Sequence, residues 1–136
     1  MTLPKVPASQ GKVAMPTVLV VDDHEVVRRV IRHVLQPLSL DVIEAADPQT
    51  ALELAQTYRM DLLLLDTNLP GMDGFTLMKR LKALPHLAAA PMIILSSRGG
   101  ADDEIRALEA GAAGFLSKPF RTQELRDAVL RAIASV

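Results

Sequence analysis

Three carboxylates, a hydroxyl and an amine each stand directly after a short apolar run. Asp22 and Asp23 follow Val18-Leu19-Val20-Val21, Asp66 follows Leu62-Leu63-Leu64-Leu65, Ser96 follows Met92-Ile93-Ile94-Leu95, and Lys118 follows Gly114-Phe115-Leu116-Ser117. Brought to one edge, these groups could carry phosphoryl chemistry. Crowded carboxylates raise one another's pKa unless a cation joins them, and a hard divalent ion with oxygen ligands meets that need. Mg2+ fits best, because a few carboxylates can hold it while it keeps waters and accepts a phosphoryl oxygen. Lys118 would balance charge on the other side of such a group, and the Ser96 hydroxyl could donate to it. Asp66 would be the nucleophile.

The runs before these residues must therefore be strands that end together. Four leucines without polar alternation predict a strand covered on both faces, the kind found in parallel sheets flanked by helices. Val18 to Val21, Leu40 to Ala45, Met92 to Leu95 and Gly114 to Ser117 are the other candidate strands. Helices are predicted between them. The first places Val27, Val30, Ile31, Val34 and Leu35 on one side and Arg28, Arg29, Arg32 and His33 on the other, until Pro37 stops it. Asp47-Pro48 caps a second that runs to about Tyr58. A third spans Asp73 to Ala83, a fourth Asp102 to Ala110 with Gly111 beyond its end, and Thr122 caps a last one running to about Ala134. Pro70 and Gly71 suit the centre of a tight turn just after Asp66, and Gly99-Gly100 predicts a flexible loop. Strands alternating with helices imply right-handed crossovers and a doubly wound α/β fold: a five-stranded parallel sheet with helices on both faces. The carboxyl ends of its strands form the crevice where such folds put reactive groups.

Composition narrows the classes further. At 136 residues the chain fits one domain with a core of its own. Fifteen basic against sixteen acidic residues give a formal charge of -1, which argues against nucleic acid as this domain's partner. The absence of cysteine excludes disulfides, thiolate metal sites and cysteine nucleophiles, and fits a cytoplasmic setting. Residues 1–16 hold no apolar run long enough for a signal peptide or a membrane span, and are expected to be a flexible leader ahead of a domain over 17–136.

Taken together and in order, these motifs resemble the receiver domain of two-component response regulators. They are the pair Asp22-Asp23, Asp66 before Leu-Pro-Gly-Met-Asp-Gly, Ser96 after Pro-Met-Ile-Ile-Leu, and Gly-Ala-Ala-Gly-Phe-Leu-Ser-Lys-Pro-Phe. The resemblance implies the flavodoxin-like strand order 2-1-3-4-5. It implies a histidine kinase or histidine phosphotransfer protein as phosphoryl donor to Asp66. Mg2+ would be bound by Asp23, Asp66 and the backbone carbonyl of Asn68, with Asp22 acting mostly through water. Ser96 and Phe115 are implied as the switch residues. The face made by the fourth helix, fifth strand and last helix would contact an effector or output domain, or a second copy in a phosphorylation-dependent dimer. Arg28, Arg29 and Arg32 read first as a solvated face of the first helix, and the resemblance implies docking of the kinase there as the alternative.

Rival classes do worse on particular residues. An aspartate-nucleophile phosphatase of the dehalogenase type needs a second aspartate two residues after the first, and that position is Asn68. A zinc-protease helix needs a second histidine where Arg28 stands, which leaves His24 as a surface residue beside the acidic pair. A receiver-like scaffold that takes no phosphate is disfavoured because every position the chemistry needs is filled. The chain is therefore expected to be a signalling phosphoacceptor and not an enzyme. It is either a protein in its own right or a piece of a larger regulator or hybrid kinase.

Overall fold

The structure, a computed structural model, describes residues 15–97 and 100–134. The sheet has five strands: β1 Thr17–Val21, β2 Asp41–Ala45, β3 Leu62–Asp66, β4 Met92–Ser96 and β5 Gly114–Ser117. All neighbouring pairs are parallel and the order is β2-β1-β3-β4-β5. Four α-helices connect them and a fifth follows β5: α1 Glu25–Leu35, α2 Pro48–Thr57, α3 Gly74–Lys82, α4 Ala101–Glu109 and α5 Thr122–Ala134. The doubly wound fold and its strand order are those expected from the sequence.

Strand alternation divides the core in two. Val18, Val20, Leu62, Leu64, Ile93 and Leu95 point to one face, where they meet Ile31, Val34 and Leu35 of α1 and Leu125 and Val129 of α5. Leu19, Val21, Leu63, Leu65 and Ile94 point to the other, against Ala51 and Leu54 of α2 and Leu77, Met78 and Leu81 of α3. Every residue of β1, β3 and β4 is buried, so their unbroken apolar runs reflect two covered faces. Aliphatic side chains and methionine fill most of both layers, and Phe75 is the buried aromatic among the described residues.

Several boundaries differ from the sequence reading for local reasons. Pro37 does not end the first helix abruptly, because it sits in a 3-10 turn, Gln36–Leu38, where its missing N–H costs nothing. Ser39, in the left-handed region at φ 59°, then redirects the chain. β2 begins at Asp41, whose N–H donates to the Pro16 carbonyl at 2.9 Å. α3 starts at Gly74, and Asp73 is its cap, accepting from the Thr76 N–H at 2.8 Å. Thr122 is already helical and not the cap of α5; the Glu124 carboxylate instead reaches back to accept from the Arg121 N–H at 2.8 Å. Gly111 lies just past the end of α4 with φ 95°, the left-handed position that favours glycine. Residues 1–14 of the expected leader, and Gly99 of the expected glycine loop, lie outside the described residues.

Candidate functional site

Sheet register brings the chemistry-bearing residues together. Val21 pairs with Leu65, so Asp22 follows β1 at the level where Asp66 ends β3. Asp66 pairs with Leu95 and Ser96 pairs with Ser117, so Ser96 and then Lys118 lie one step further toward the carboxyl edge. The Lys118 N–H donates to the Ser96 carbonyl at 2.7 Å, which holds the start of the following loop against β4. Asp22, Asp66 and Ser96 are buried, whereas Asp23 is exposed.

Lys118 ties the carboxylates into one unit. Its Nζ donates to Asp22 Oδ2 at 2.5 Å and lies 3.0 Å from Asp66 Oδ1. Burial pulls the ammonium's pKa down, but the hydrogen bond to Asp22 and the negative charges of Asp22 and Asp66 outweigh it and leave the pKa raised. Lys118 is therefore cationic throughout the neutral range. Asp66 is raised as well, by burial first and by the charges of Asp22 and Asp23, with Lys118 opposing. Toward Asp66 the ammonium makes an ion pair, and the buried Oδ1 has no aligned hydrogen bond. That oxygen retains the capacity to accept another electropositive partner.

His24 is the exposed residue beside the acidic pair that the sequence reading made it. Its Nδ1 lies 3.2 Å from Asp22 Oδ1 and 3.1 Å from Asp23 Oδ1, and its backbone N–H donates to Asp22 Oδ1 at 2.9 Å. Among the described residues, Asp22, Asp23 and His24 gather their ligand atoms within 4.8 Å of one another. Asp66 joins this acidic pocket through Lys118. Asn68 follows in a two-residue hairpin, Asn68–Leu69 against Met72–Asp73, closed by Pro70 and by Gly71 at φ 78°. The hairpin is the predicted tight turn, and it returns the chain so closely that the Gly74 N–H donates to the Thr67 carbonyl at 3.0 Å. A Cβ on Gly74 would collide with the Asp66 backbone carbonyl, so this glycine sets the approach of α3 to the site. Phe115 is half-buried on β5 and packs against the α2–α3 side of the core.

Two of the three arginines read as a solvated face, or alternatively as a docking face, do something else. Arg28 donates from Nε to Glu44 Oε1 at 3.0 Å and from Nη1 to the Asp22 carbonyl at 2.8 Å, and its side chain is only 15% exposed. Arg32 binds the other Glu44 oxygen at 2.8 Å and the Val42 carbonyl at 3.1 Å. Both bind α1 to β2, because Glu44 on the edge strand lies beneath that side of the helix. Only Arg29, 74% exposed beside Glu25, fits a solvated face. Arg28→Gln is expected to lower unfolding free energy by about 1–3 kcal/mol, the cost of leaving buried acceptors unpaired, while Arg29→Gln leaves it unchanged. Urea denaturation of the two variants measures the contrast, and equal midpoints would return Arg28 to the solvated face.

A doubly wound sheet that presents a buried aspartate with its lysine counter-ion at the carboxyl edge has the architecture of a signalling domain that takes a phosphoryl group. Comparison with known proteins agrees. The chain belongs to the response regulator receiver domain family, whose model matches residues 18–130. It is 42% identical over 113 residues to the cyclic di-GMP phosphodiesterase response regulator RpfG of Xanthomonas campestris, covering 80% of this chain and 29% of that protein. It is 34% identical over 113 residues to the chemotaxis protein CheY of Pseudomonas aeruginosa, covering 82% and 91%. The solved structure of the Vibrio cholerae chemotaxis protein CheY4 superposes with a TM-score of 0.82 at 33% identity, covering 88% of this chain and 99% of that one. The chain thus spans less than a third of the first relative and most of the second. It is a receiver domain homologous to the response regulators of two-component systems, and the family is one of signalling phosphoacceptors. Among the described residues no helix is long and apolar enough to cross a membrane.

Proposed function

We propose that Asp66 is the phosphoacceptor, taking its phosphoryl group from a phosphohistidine on a histidine kinase or a phosphotransfer protein. A carboxylate oxygen of Asp66 attacks phosphorus and the phosphorus–nitrogen bond breaks. The departing imidazole keeps the bonding electrons and takes a proton from solvent. The observation that supports this most is the Asp22–Lys118–Asp66 unit, a buried carboxylate at a strand end whose counter-ion already occupies the side of the pocket where phosphoryl charge would accumulate.

Mg2+ suits the acidic pocket: Asp22, Asp23 and Asp66 are hard oxygen donors, and a buried Asp66 oxygen lacks an aligned hydrogen bond. Asp23, Asp66 and the Asn68 carbonyl would hold it, with Asp22 acting through water. Once bound, the ion supplies charge compensation for the phosphoryl oxygens. Ser96 and Phe115 are the switch residues in this proposal. The domain extends over 17–136 behind a leader of 1–16, works in the cytoplasm, and transmits a signal without turning over a substrate of its own.

Partner docking is better sited on apolar residues than on the arginines. Val26 is 70% exposed and Val30 47%. With Val27, Pro119 and Phe120 they line a groove that includes Lys118. A donor helix seated there would bring its phosphohistidine to the mouth over Asp66. An effector, an output domain or a second copy would use the face made by α4, β5 and α5, where Ile105 and Leu108 of α4 and Leu130 of α5 are exposed.

Incubation with acetyl phosphate and Mg2+ tests the chemistry, with intact-mass spectrometry and mapping of the borohydride-reduced acyl phosphate. A single adduct at Asp66 that chelator prevents is the expected result. An adduct elsewhere, or one indifferent to chelator, would refute it.

A further inference from the structure

The Ser96 hydroxyl is engaged in this structure, and its partner belongs to a helix. Ser96 is fully buried at the end of β4, and its Oγ–H donates to Asp103 Oδ2 at 2.8 Å. Asp103 lies in the first turn of α4 and is half-buried, whereas Asp102 and Glu104 beside it are exposed. A serine hydroxyl has one proton, and a carboxylate, like a phosphoryl oxygen, accepts it. The proton cannot be given fully to both. From this juxtaposition we infer that Asp103 is a positioning residue for the receiver reaction, an acceptor on α4 that competes with the Asp66 phosphoryl group for the Ser96 proton. The inference rests on the phosphoacceptor reading of Asp66.

The setting of α4 makes the competition consequential. Ala107 is the one buried residue of this helix, while Ile105 and Leu108 face solvent. Two polar tethers supplement that slight anchorage: the Ser96–Asp103 bond, and Arg106, which stacks over the Phe75 ring at 4.1 Å and lies 3.8 Å from Asp73. An element with so little buried surface responds to the loss of one bond more than a core helix does. When Ser96 turns to a phosphoryl oxygen, the first tether opens. Asp103 is not left stranded, because a carboxylate in the first turn faces unsatisfied N–H groups, and the Gly100 cap supplies no side-chain oxygen to them. Phosphorylation thus trades the bond that holds α4 to the end of β4 for one to the phosphoryl group, and the signal reaches the helix through a single proton.

Beryllofluoride, which mimics the phosphoryl group on an aspartate, allows the test. Asp103→Ala should bind it about tenfold more tightly than the parent, because one hydrogen bond to a charged acceptor no longer has to be broken. Without ligand, amide exchange over residues 101–109 should already approach that of the liganded parent. Asp103→Asn, whose amide oxygen still accepts but carries no charge, should fall between the two. Asp102→Ala removes the same charge from the same turn and should leave affinity within about twofold, as an exposed charge does. In a Ser96→Ala background, Asp103→Ala should have no further effect. Equal tightening in that background, or from Asp102→Ala, would overturn the competition and leave a general charge effect. Failure of the parent itself to bind beryllofluoride would overturn the phosphoacceptor assignment beneath it.

Discussion

Asp66→Asn is expected to abolish acyl-phosphate formation and yet raise the melting temperature at neutral pH. The reason is the upward shift of the Asp66 carboxyl from its ordinary 3.8, caused first by burial and then by Asp22 and Asp23, against the pull of Lys118. A carboxyl whose folded pKa is raised binds a proton in the native state that the unfolded chain has already lost. Stability therefore falls as pH rises from 3.8 through the raised value, and above it the ionised group costs its full amount. Asparagine removes that cost and leaves the Asp22–Lys118 pair intact. The advantage of the variant should shrink as pH is lowered through the folded pKa toward 3.8, where the parent carboxyl is neutral too. Mg2+ should also narrow it, since an ion present at a hundredfold its Kd stabilises the protein that binds it by about 2.7 kcal/mol. Thermal melts of both proteins across pH, with Mg2+ and with chelator, measure these terms. A variant that melts below the parent at neutral pH without metal would mean that the Lys118–Asp66 attraction exceeds the cost of burying the carboxylate.

This conflict between stability and chemistry is also what made the site legible in the sequence. Leu62 to Leu65 declare a strand buried on both faces, and a carboxylate set immediately after such a run has no packing role that a leucine would not fill better. The same holds for Asp22 after Val21 and Lys118 after the β5 run; one such run alone decides little, and the edge with its occupants was readable from the runs taken together and in order. What escaped depended on how separate elements meet. Arg28 and Arg32 alternate with apolar residues as any solvated helix face does, and only the path of β2 beneath α1 gives them Glu44. Gly74 carries no signal of its own in the motif it ends, because its requirement is steric, set by the chain folding back onto the Asp66 carbonyl. Asp103 reads as a favourable charge at a helix start. Its bond to Ser96 exists because α4 begins at Ala101, close enough to the end of β4 for a first-turn side chain to reach back, and no periodicity encodes that distance. His24, by contrast, is where the pattern put it, on the surface beside the acidic pair. The turn after β1 places its ring against both acidic side chains.

Lys118→Ala should produce the largest functional change, and its effects should run in opposite directions on metal and on signal. The ammonium stands between two buried carboxylates on neighbouring strand ends, 2.5 Å from one and 3.0 Å from the other. Without it Asp22 and Asp66 face each other with no internal cation. Breaking a buried charge arrangement in this way costs about 3 kcal/mol of stability. The Asp66 carboxyl should rise further, since the one influence holding it down is Lys118. A divalent ion then becomes the sole compensating charge. Two unit charges at contact distance interact by up to about 4 kcal/mol near a protein surface, and part of that is restored by water entering the vacated space. Mg2+ should therefore bind about tenfold more tightly, a shift that isothermal titration calorimetry resolves. The phosphorylated state should respond the other way. Acetyl phosphate can still modify Asp66 in the presence of Mg2+, but the phosphoryl group loses the cation on the side away from the metal and with it a cause to settle in one orientation. Ser96 is then offered no fixed acceptor to turn toward, and its hydroxyl goes on donating to Asp103. Amide exchange over residues 101–117 should consequently show little difference between labelled and unlabelled Lys118→Ala. Unchanged Mg2+ affinity would remove Lys118 as the internal counter-ion of the pocket. A full phosphorylation-dependent exchange response would show instead that the metal alone orients the phosphoryl group, and that the proton on Ser96 moves without help from the amine.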